Sequence, residues 1–514
     1  MPGTTDQSID ILICGLPAGV LQRAPAAPAL LKGCVQQAGY TAATRDLALD
    51  LYINQCGRNL SSFSQINCLF EPMTQFDSSH ALIQAWINDC ATMIDSYQPR
   101  CLGLSVFSHF QHRATVLICN MVRQRFPEIK IILGGMGLDA GIEYSMLNFD
   151  NIAKIDLMNK FHMYISRHGL ADKLIFGVNG ESDLVTALDE IFSRHRGNTA
   201  VMEPKSDFDD YQFKEYLWHN EPLMTITSSK GCVRACTFCN IPSQFGRFSR
   251  RQGAAVAEEM ISLRERYGVR KFEFTDSLVN GSQKDFLEMI TRLAQYNNGL
   301  PDQEKIIWFG QYICRPQSQI KKSTYELMKQ SGASTLLIGI ESASNTVLDH
   351  MDKQITIQDV EAELEQLERH RITCTLLVML GYVNETREDF FKTMEFLLRC
   401  HRYLAAGIAN VSINPTLFIN PGTPLYEQAE KFGITLDPFS RGFWTIESNP
   451  ENTFLERMQR KLLAHNLLDL MGNQSSLGSE FYWPMLLEQI KNYEQRLIDP
   501  TARPPVVVSD FPHD

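Results

Sequence analysis

Residues 225–239 read TITSSKGCVRACTFC, a short apolar strand signal that runs into a loop with cysteines at 232, 236 and 239. Three thiolates spaced as Cys232, Cys236 and Cys239 can each ligate one iron of a [4Fe–4S] cluster and leave the fourth iron open. A zinc knuckle draws on four ligands, commonly in two short-spaced pairs, and the next cysteine, Cys314, stands alone. A disulfide framework is disfavoured by the odd number. An electron-transfer ferredoxin needs a fourth cysteine for its cluster.

The chain around this loop has 514 residues, too many for one ordinary core, and divides into two or three domains on size alone. Its 44% hydrophobic content supports buried cores. No apolar run approaches membrane-spanning length, and residues 1–10 lack the charged-then-apolar pattern of a secretory leader. A cytoplasmic protein is expected, with no membrane partner. A net charge of −11 speaks against sequence-independent nucleic-acid binding. The 13 cysteines are mostly scattered singly in apolar stretches, as buried free thiols in a reducing compartment are.

Upstream of the loop, apolar runs at 9–15, 41–47, 101–107, 130–135 and 173–177 predict buried strands. Helical spacing over 28–38, 81–97, 114–126 and 181–192 predicts helices between them. Residues 51–76 have no clear period and read as an excursion. Strands alternating with helices imply a parallel sheet covered on both faces, with ligands outside its C-terminal edge. That edge carries Gly15, Leu16, Ser105, Phe107, Gly134, Gly135, Gly180 and Glu181. Glycines there admit close approach of a ligand and serve equally well in tight strand-to-helix turns. The polar stretch 197–211, with Asp207, Asp209 and Asp210, reads as a linker.

From the cysteine loop onward, strand candidates at 224–228, 271–275, 306–313, 335–340, 373–380 and 409–417 alternate with helical patterns at 254–267, 283–295, 323–331, 357–370 and 387–400. Six such units are too few for a complete eight-unit barrel, and chemistry in parallel barrels gathers at the C-terminal strand ends. Those ends carry Asp276 and Ser277 on the second strand and Glu341 and Ser342 on the fourth. Glu341 reads equally as a first-turn acid of the following helix. Arg247, Arg250 and Arg251 read as a solvated helix start or as partners of an acidic substrate. Beyond 438, helical spacing returns at 455–471 and 481–497, and the proline-rich end, 500–514, reads as loose. This C-terminal extension suits either a cover for the barrel mouth or a structural brace.

The CxxxCxxC spacing, with Phe238 just before the last cysteine, resembles the signature of the radical S-adenosylmethionine (radical SAM) superfamily. A second resemblance covers about the first two hundred residues. PALLKG at 28–33 with Gly39 downstream, Gly103-Leu104-Ser105, IILGG at 131–135 and Asn179-Gly180-Glu181 look like the cobalamin-binding domain of one radical SAM subfamily. The segment Leu380–Asp389 is similar to that subfamily's G-x-P-G-E-T, with Val383 and Asn384 in place of proline and glycine. Residues 420–426 are close to its P-G-T-P-L-Y. The DxHxxG motif that supplies a lower histidine ligand to cobalt in many cobalamin domains is missing, and His109 and His112 are the tempting substitutes.

The resemblance implies an α/β fold. A doubly wound, Rossmann/flavodoxin-like cobalamin-binding domain would span 1–200 and a linker 201–220. A partial (βα)6 TIM-like barrel would span 221–435, and a small, mostly helical extension 436–514. It implies an enzyme, with Cys232, Cys236 and Cys239 on the cluster, and with Phe238, Asp276, Ser277, Glu341 and Ser342 near SAM. Cobalamin would meet the strand-end residues given above, from Gly15 to Glu181. Reductive cleavage of SAM to a 5′-deoxyadenosyl radical would serve cobalamin-dependent methylation of an unreactive carbon in a small molecule. The alternative is a rearrangement, cyclisation or other radical reaction without methyl transfer. An electron donor such as flavodoxin or ferredoxin is the implied partner.

Overall fold

The computed structural model describes residues 8–17, 19, 21–70, 78–141, 160–194, 205–216, 221–413, 417–437 and 441–473. The helix expected at 481–497, the tail at 500–514 and the first part of the expected linker lie outside these residues. The chain divides into two compact units, Met1–Thr225 and Ile226–Pro505.

The first unit is built on β1 (Ile11–Gly15), β2 (Ala42–Asp46), β3 (Cys101–Ser105), β4 (Lys130–Gly134) and β5 (Lys173–Ile175). They pair in parallel in the order β2-β1-β3-β4-β5, the flavodoxin-like order. β1 is buried along its whole length, as a strand covered on both faces must be. Ile11, Ile13, Val35, Tyr40, Cys101, Ile132, Leu184 and Leu188 form one core between the sheet and the helices Ala26–Gln37 and Gly180–Ile191. The order reverses between β1 and β3, so the crevice for a ligand opens beside Gly15 and Ser105, which are register partners.

Two stretches differ from the reading of the sequence. Within 51–76, a π-helical turn Leu51–Gln55 and a helix Leu60–Leu69 stand where an excursion was expected. The helix buries Phe63 and Ile66, with Phe70 buried just after it, a stripe that the intervening Ser, Gln and Asn residues dilute. The expected linker is, over its described part 205–216, packed into the first unit. Asp207 and Asp210 hold the Lys32 ammonium at 3.0 and 2.6 Å, and Asp210 also accepts the Thr44 N–H at 2.8 Å. Phe208 is fully buried, the Tyr216 hydroxyl donates to Asp46 at 2.9 Å, and a Cβ on Gly33 would fall 1.7 Å from the Lys205 carbonyl oxygen. The acidic run is polar because it pairs with a buried lysine.

The second unit begins with β6 (Leu223–Ile226), which straddles the division, and the small antiparallel pair β7 (Ser229–Lys230) and β8 (Ser249–Arg250). Then come β9 (Lys271–Phe274), β10 (Ile307–Tyr312), β11 (Ala333–Glu341), β12 (Thr373–Val378) and β13 (Ala409–Ile413). These join in the order β6-β9-β10-β11-β12-β13, with parallel pairing from β9 to β13. β10 and β12 alternate strictly between half-buried and buried positions. The buried set packs outward on helices, as Trp308 does edge-on against Phe286 at 6.1 Å; the half-buried set lines the concave face. This is the wall of an incomplete barrel, in which ligands are expected at the C-terminal strand ends.

The described part of the C-terminal extension is a brace within this unit. Helix Phe454–Leu470 is followed by Asn473, whose side chain bonds both the N–H and the carbonyl of Val411, each at 3.0 Å. It thereby caps the edge strand β13, whose backbone groups would otherwise be unpaired.

Candidate active site

The cysteine loop leaves the end of β7. The Arg234 N–H points at Cys232 Sγ at 3.4 Å, Cys236 Sγ reaches the Asp352 carbonyl at 3.8 Å, and the Cys239 N–H closes a turn on the Cys236 carbonyl at 3.0 Å. Cys232, Cys236 and Cys239 are free thiols. Burial pushes the Cys236 thiol up to about 11, opposed by the Lys353 ammonium, and burial raises Cys239 as well. Iron is ligated by thiolate, so a fixed cation nearby favours loading. Among the described residues no three His, Cys, Asp or Glu side chains converge on one ion; a cubane does not ask them to, since each thiolate takes a different iron.

Lys353 was not legible in the sequence. It follows the short helix Asn345–His350, its side chain is only 14% exposed, and its Nζ lies 2.7 Å from Glu341 Oε1 and 5.8 Å from the centre of the Phe238 ring. Glu341 ends β11 with φ +62°, beside a register shift at Gly339/Glu341. A left-handed, non-glycine residue at a strand end is strained backbone, and here it presents a carboxylate beside the cluster loop. Neighbouring Ser342 does not share that face. It is fully buried, and its hydroxyl accepts the Ser344 N–H at 3.1 Å.

Asp276 is nearly buried, and burial pushes its carboxyl up to about 6. It accepts the Ser228 N–H at 3.1 and 3.0 Å and the Ser228 hydroxyl at 2.9 Å. Its oxygens therefore tie the end of β9 to the root of the cysteine loop. Ser277 beside it is half-buried. Half-buried Thr227 and exposed Thr275, with hydroxyls 2.7 Å apart, offer polar groups at the same two strand ends. Arg251 is no solvated helix start: it bonds the Thr227 carbonyl at 2.9 Å and pairs with buried Glu259 at 2.7 Å. Arg250 pairs with Asp285 at 2.9 Å, and Arg247 is exposed.

In the first unit the sheet's C-terminal edge is apolar. Phe107 is 71% exposed, Phe110 40%, Met136 40% and Phe176 46%, and they follow β3, β4 and β5 directly. Gly15 and Leu16 are buried; the Leu16 carbonyl accepts from the Gln111 amide at 3.1 Å, while Gln111 Oε1 accepts the Phe107 N–H at 2.6 Å. Ser105, Gly134, Gly180 and Glu181 are half-buried and Gly135 is exposed along the same edge. Gly135 has φ +118°, and a Cβ there would fall 2.4 Å from the Val106 carbonyl oxygen, so the tight turn alone requires a glycine. His112 is fully buried, stacked on Phe161 at 3.7 Å, with Nε2 2.7 Å from the Gly137 carbonyl. Burial pushes it down to about 3. It is a core residue, not a free ligand. His109 lies half-buried against the Phe110 ring at 4.2 Å.

Residues 226–397 match the model of the radical SAM superfamily. Among curated proteins, an uncharacterized methyltransferase of Pyrococcus horikoshii, PH0819, is 26% identical over 245 residues, 48% of this chain and 50% of that protein. Bacteriochlorophyllide d C-12(1)-methyltransferase of Chlorobaculum tepidum is 27% identical over 214 residues, 40% of this chain and 42% of that one. The chain thus spans about half the length of the curated relatives it matches. Among solved structures, the radical S-adenosylmethionine methyltransferase TsrM from Kitasatospora setae, with cobalamin and a [4Fe–4S] cluster bound, aligns with a TM-score of 0.58 at 15% identity. That alignment covers 84% of this chain and 81% of that one. Residues 226–397 thus carry a radical SAM superfamily domain, and the chain has the α/β fold of the cobalamin-bound enzyme.

Proposed function

We propose that the chain is an enzyme that binds a [4Fe–4S] cluster and SAM, cleaves SAM reductively, and transfers a methyl group by way of cobalamin to an unreactive carbon of a small molecule. One observation carries the reading: three free thiols on a single loop at the catalytic edge of a partial barrel, with the ammonium of Lys353 beside them. The chemistry the absent groups would supply is a single electron and an open iron for SAM from the cluster, and a methyl-carrying cobalt from cobalamin.

Cys232, Cys236 and Cys239 would hold the cluster. Lys353 would meet the carboxylate of SAM, a charge-assisted contact, and Glu341 would accept hydrogen bonds from its ribose hydroxyls. Asp276 acts one step back, by fixing Ser228 and the loop that follows. The half-buried inner faces of β10 and β12 would surround substrate and limit the access of water. Phe107, Phe110, Met136 and Phe176 suit the flat face of a corrin by apolar contact, with no imidazole from His112. Among the described residues no helix is long and apolar enough to cross a membrane, and a small carrier protein such as a flavodoxin or ferredoxin would deliver the electron.

The test is anaerobic reconstitution with iron, sulfide and SAM under strong reductant. The chain should release 5′-deoxyadenosine, and Cys232→Ala, Cys236→Ala and Cys239→Ala should each abolish it. Full release by any of the three sinks the cluster assignment. With deuteromethyl SAM and cobalamin present, labelled methylcobalamin should form; its absence would remove the methyl-transfer half alone.

A further inference from the structure

Thr237 stands between the second and third cysteines, and three separate segments grip it. Its N–H donates to the Met351 carbonyl at 3.0 Å, and its carbonyl accepts the Leu425 N–H at 2.9 Å. Its hydroxyl and that of Tyr382 are hydrogen-bonded at 2.6 Å. Tyr382 is fully buried, its ring meets Phe238 edge-on at 6.4 Å, and its hydroxyl also lies 3.2 Å from His350 Nδ1. The loop of residues 380–386 that carries Tyr382 is held from behind by the C-terminal extension. The Arg460 guanidinium bonds the Glu385 carboxylate at 2.8 Å and the Glu385 carbonyl at 3.0 Å, and the same carboxylate oxygen accepts the Gly381 N–H at 2.8 Å. The Asn452 amide donates to the Tyr382 carbonyl at 2.9 Å, and the Asn449 amide to that of Glu385 at 2.9 Å. Behind them Arg457, fully buried, bonds the Asn452 carbonyl at 2.6 Å and stacks over Trp444 at 3.8 Å.

We propose that this chain of contacts sets the conformation of the cysteine loop. Arg460 fixes Glu385, the fixed loop aims Tyr382, and Tyr382 holds Thr237 between two cysteines, so that Arg460, Asn452 and Tyr382 are positioning residues for the cluster loop. A hydrophobic helix–barrel contact would have sufficed for stability. Burying a guanidinium against a carboxylate costs several kcal/mol of desolvation per ion, is often no more stable than apolar packing, and is best retained where one arrangement must be specified. The arrangement specified here ends on the loop expected to carry the iron. Residues 449–460 lie outside the part matched by the superfamily model, so the extension adds a constraint that the family domain alone lacks.

The inference gives the cluster reading a structural dependence, but its test does not require catalysis. Hydrogen exchange of the full chain should show residues 232–240 opening about fivefold more often in Tyr382→Phe, the size of one lost hydrogen bond. Arg460→Met should open 380–386 and 232–240 together, and Arg460→Lys should restore part of the protection. Thr237→Val in the Tyr382→Phe background should add nothing, because both remove the same bond. In the reconstituted protein, iron loss to a chelator should speed up in the same rank order. If Arg460→Met fails to fold, the Tyr382→Phe and Thr237→Val cycle decides alone. Opening of 380–386 with 232–240 unchanged, or full additivity of the two hydroxyl removals, overturns the proposal. The predicted exchange changes together with no 5′-deoxyadenosine from the unsubstituted protein would count against the proposed chemistry and leave this inference standing.

Discussion

The two parallel sheets obey the same rule and dress it in opposite chemistry. In both, the side chains that matter stand just beyond the C-terminal strand ends. At the edge of the first sheet these are Phe107, Phe110, Met136 and Phe176, exposed and uncharged, with a buried amide, Gln111, bracing the backbone behind them. At the edge of the second they are a thiol, two carboxylates and an ammonium: Cys236, Asp276, Glu341 and Lys353, all largely buried, with Lys353 paired to Glu341 and close in charge to Cys236. The first edge suits a broad, neutral, flat face. The second offers fixed charges of both signs beside thiols. Topology says where a ligand goes, and the side chains at that place say what kind.

Three measurements would sharpen or break this contrast. The largest effect concerns the cost of burying charge in the second unit. Glu363 is nearly buried, receives the Tyr325 hydroxyl at 2.8 Å, and is pushed by burial from 4.5 up to about 7. Because its folded value lies above its unfolded one, the stability tied to its proton is complete below 4.5 and is lost as pH rises through about 7. Glu363→Gln should therefore stabilise the unit at pH about 8 by on the order of 3 kcal/mol and change little near pH about 4. Denaturant melts at the two pH values would show it, and an equal effect at both would refute it.

Next comes the ammonium. Lys353→Met should leave iron content near normal and weaken SAM binding about 10–100-fold, the worth of a hydrogen bond to a charged group. Equilibrium binding of SAM to the reconstituted protein measures this, and unchanged affinity would remove Lys353 from the site. The smallest effect belongs to the apolar edge. Phe107→Ser should lower cobalamin affinity about tenfold, from lost apolar burial, with SAM binding untouched. A visible-light titration with hydroxocobalamin suffices. If instead SAM binding falls and cobalamin binding holds, the division of labour between the two edges is wrong.

Most of the strands were legible because their residues say one thing at every level. β1 is apolar throughout and buried throughout, and β12 opens with Thr373-Cys374-Thr375-Leu376, polar and apolar in turn as its burial alternates. The cysteine loop was legible from spacing. What stayed hidden depends on partners distant in the chain. Lys353 looks like any lysine after a short helix until Glu341 folds against it. Asp207 and Asp210 look solvated until Lys32 arrives between them. Ser342 looked equivalent to Glu341, yet the Ser342 hydroxyl turns back onto the Ser344 N–H while Glu341, in left-handed backbone, meets Lys353. His112 carried the right imidazole, yet the helix His112–Arg125 turns it inward onto Phe161. Glu385 and Arg460 are 75 positions apart, and no local pattern joins them.

The Lys32 anchorage bears on where the polypeptide can be cut. A fragment ending at residue 200, where composition invites a boundary, would strip a buried ammonium of both its counter-ions and uncover the surface that Gly33 keeps flat for Lys205. Carried on through Tyr216, the same fragment keeps its own latch. Whoever dissects this protein should let that lysine, not the aspartate-rich punctuation, choose the scissors' position.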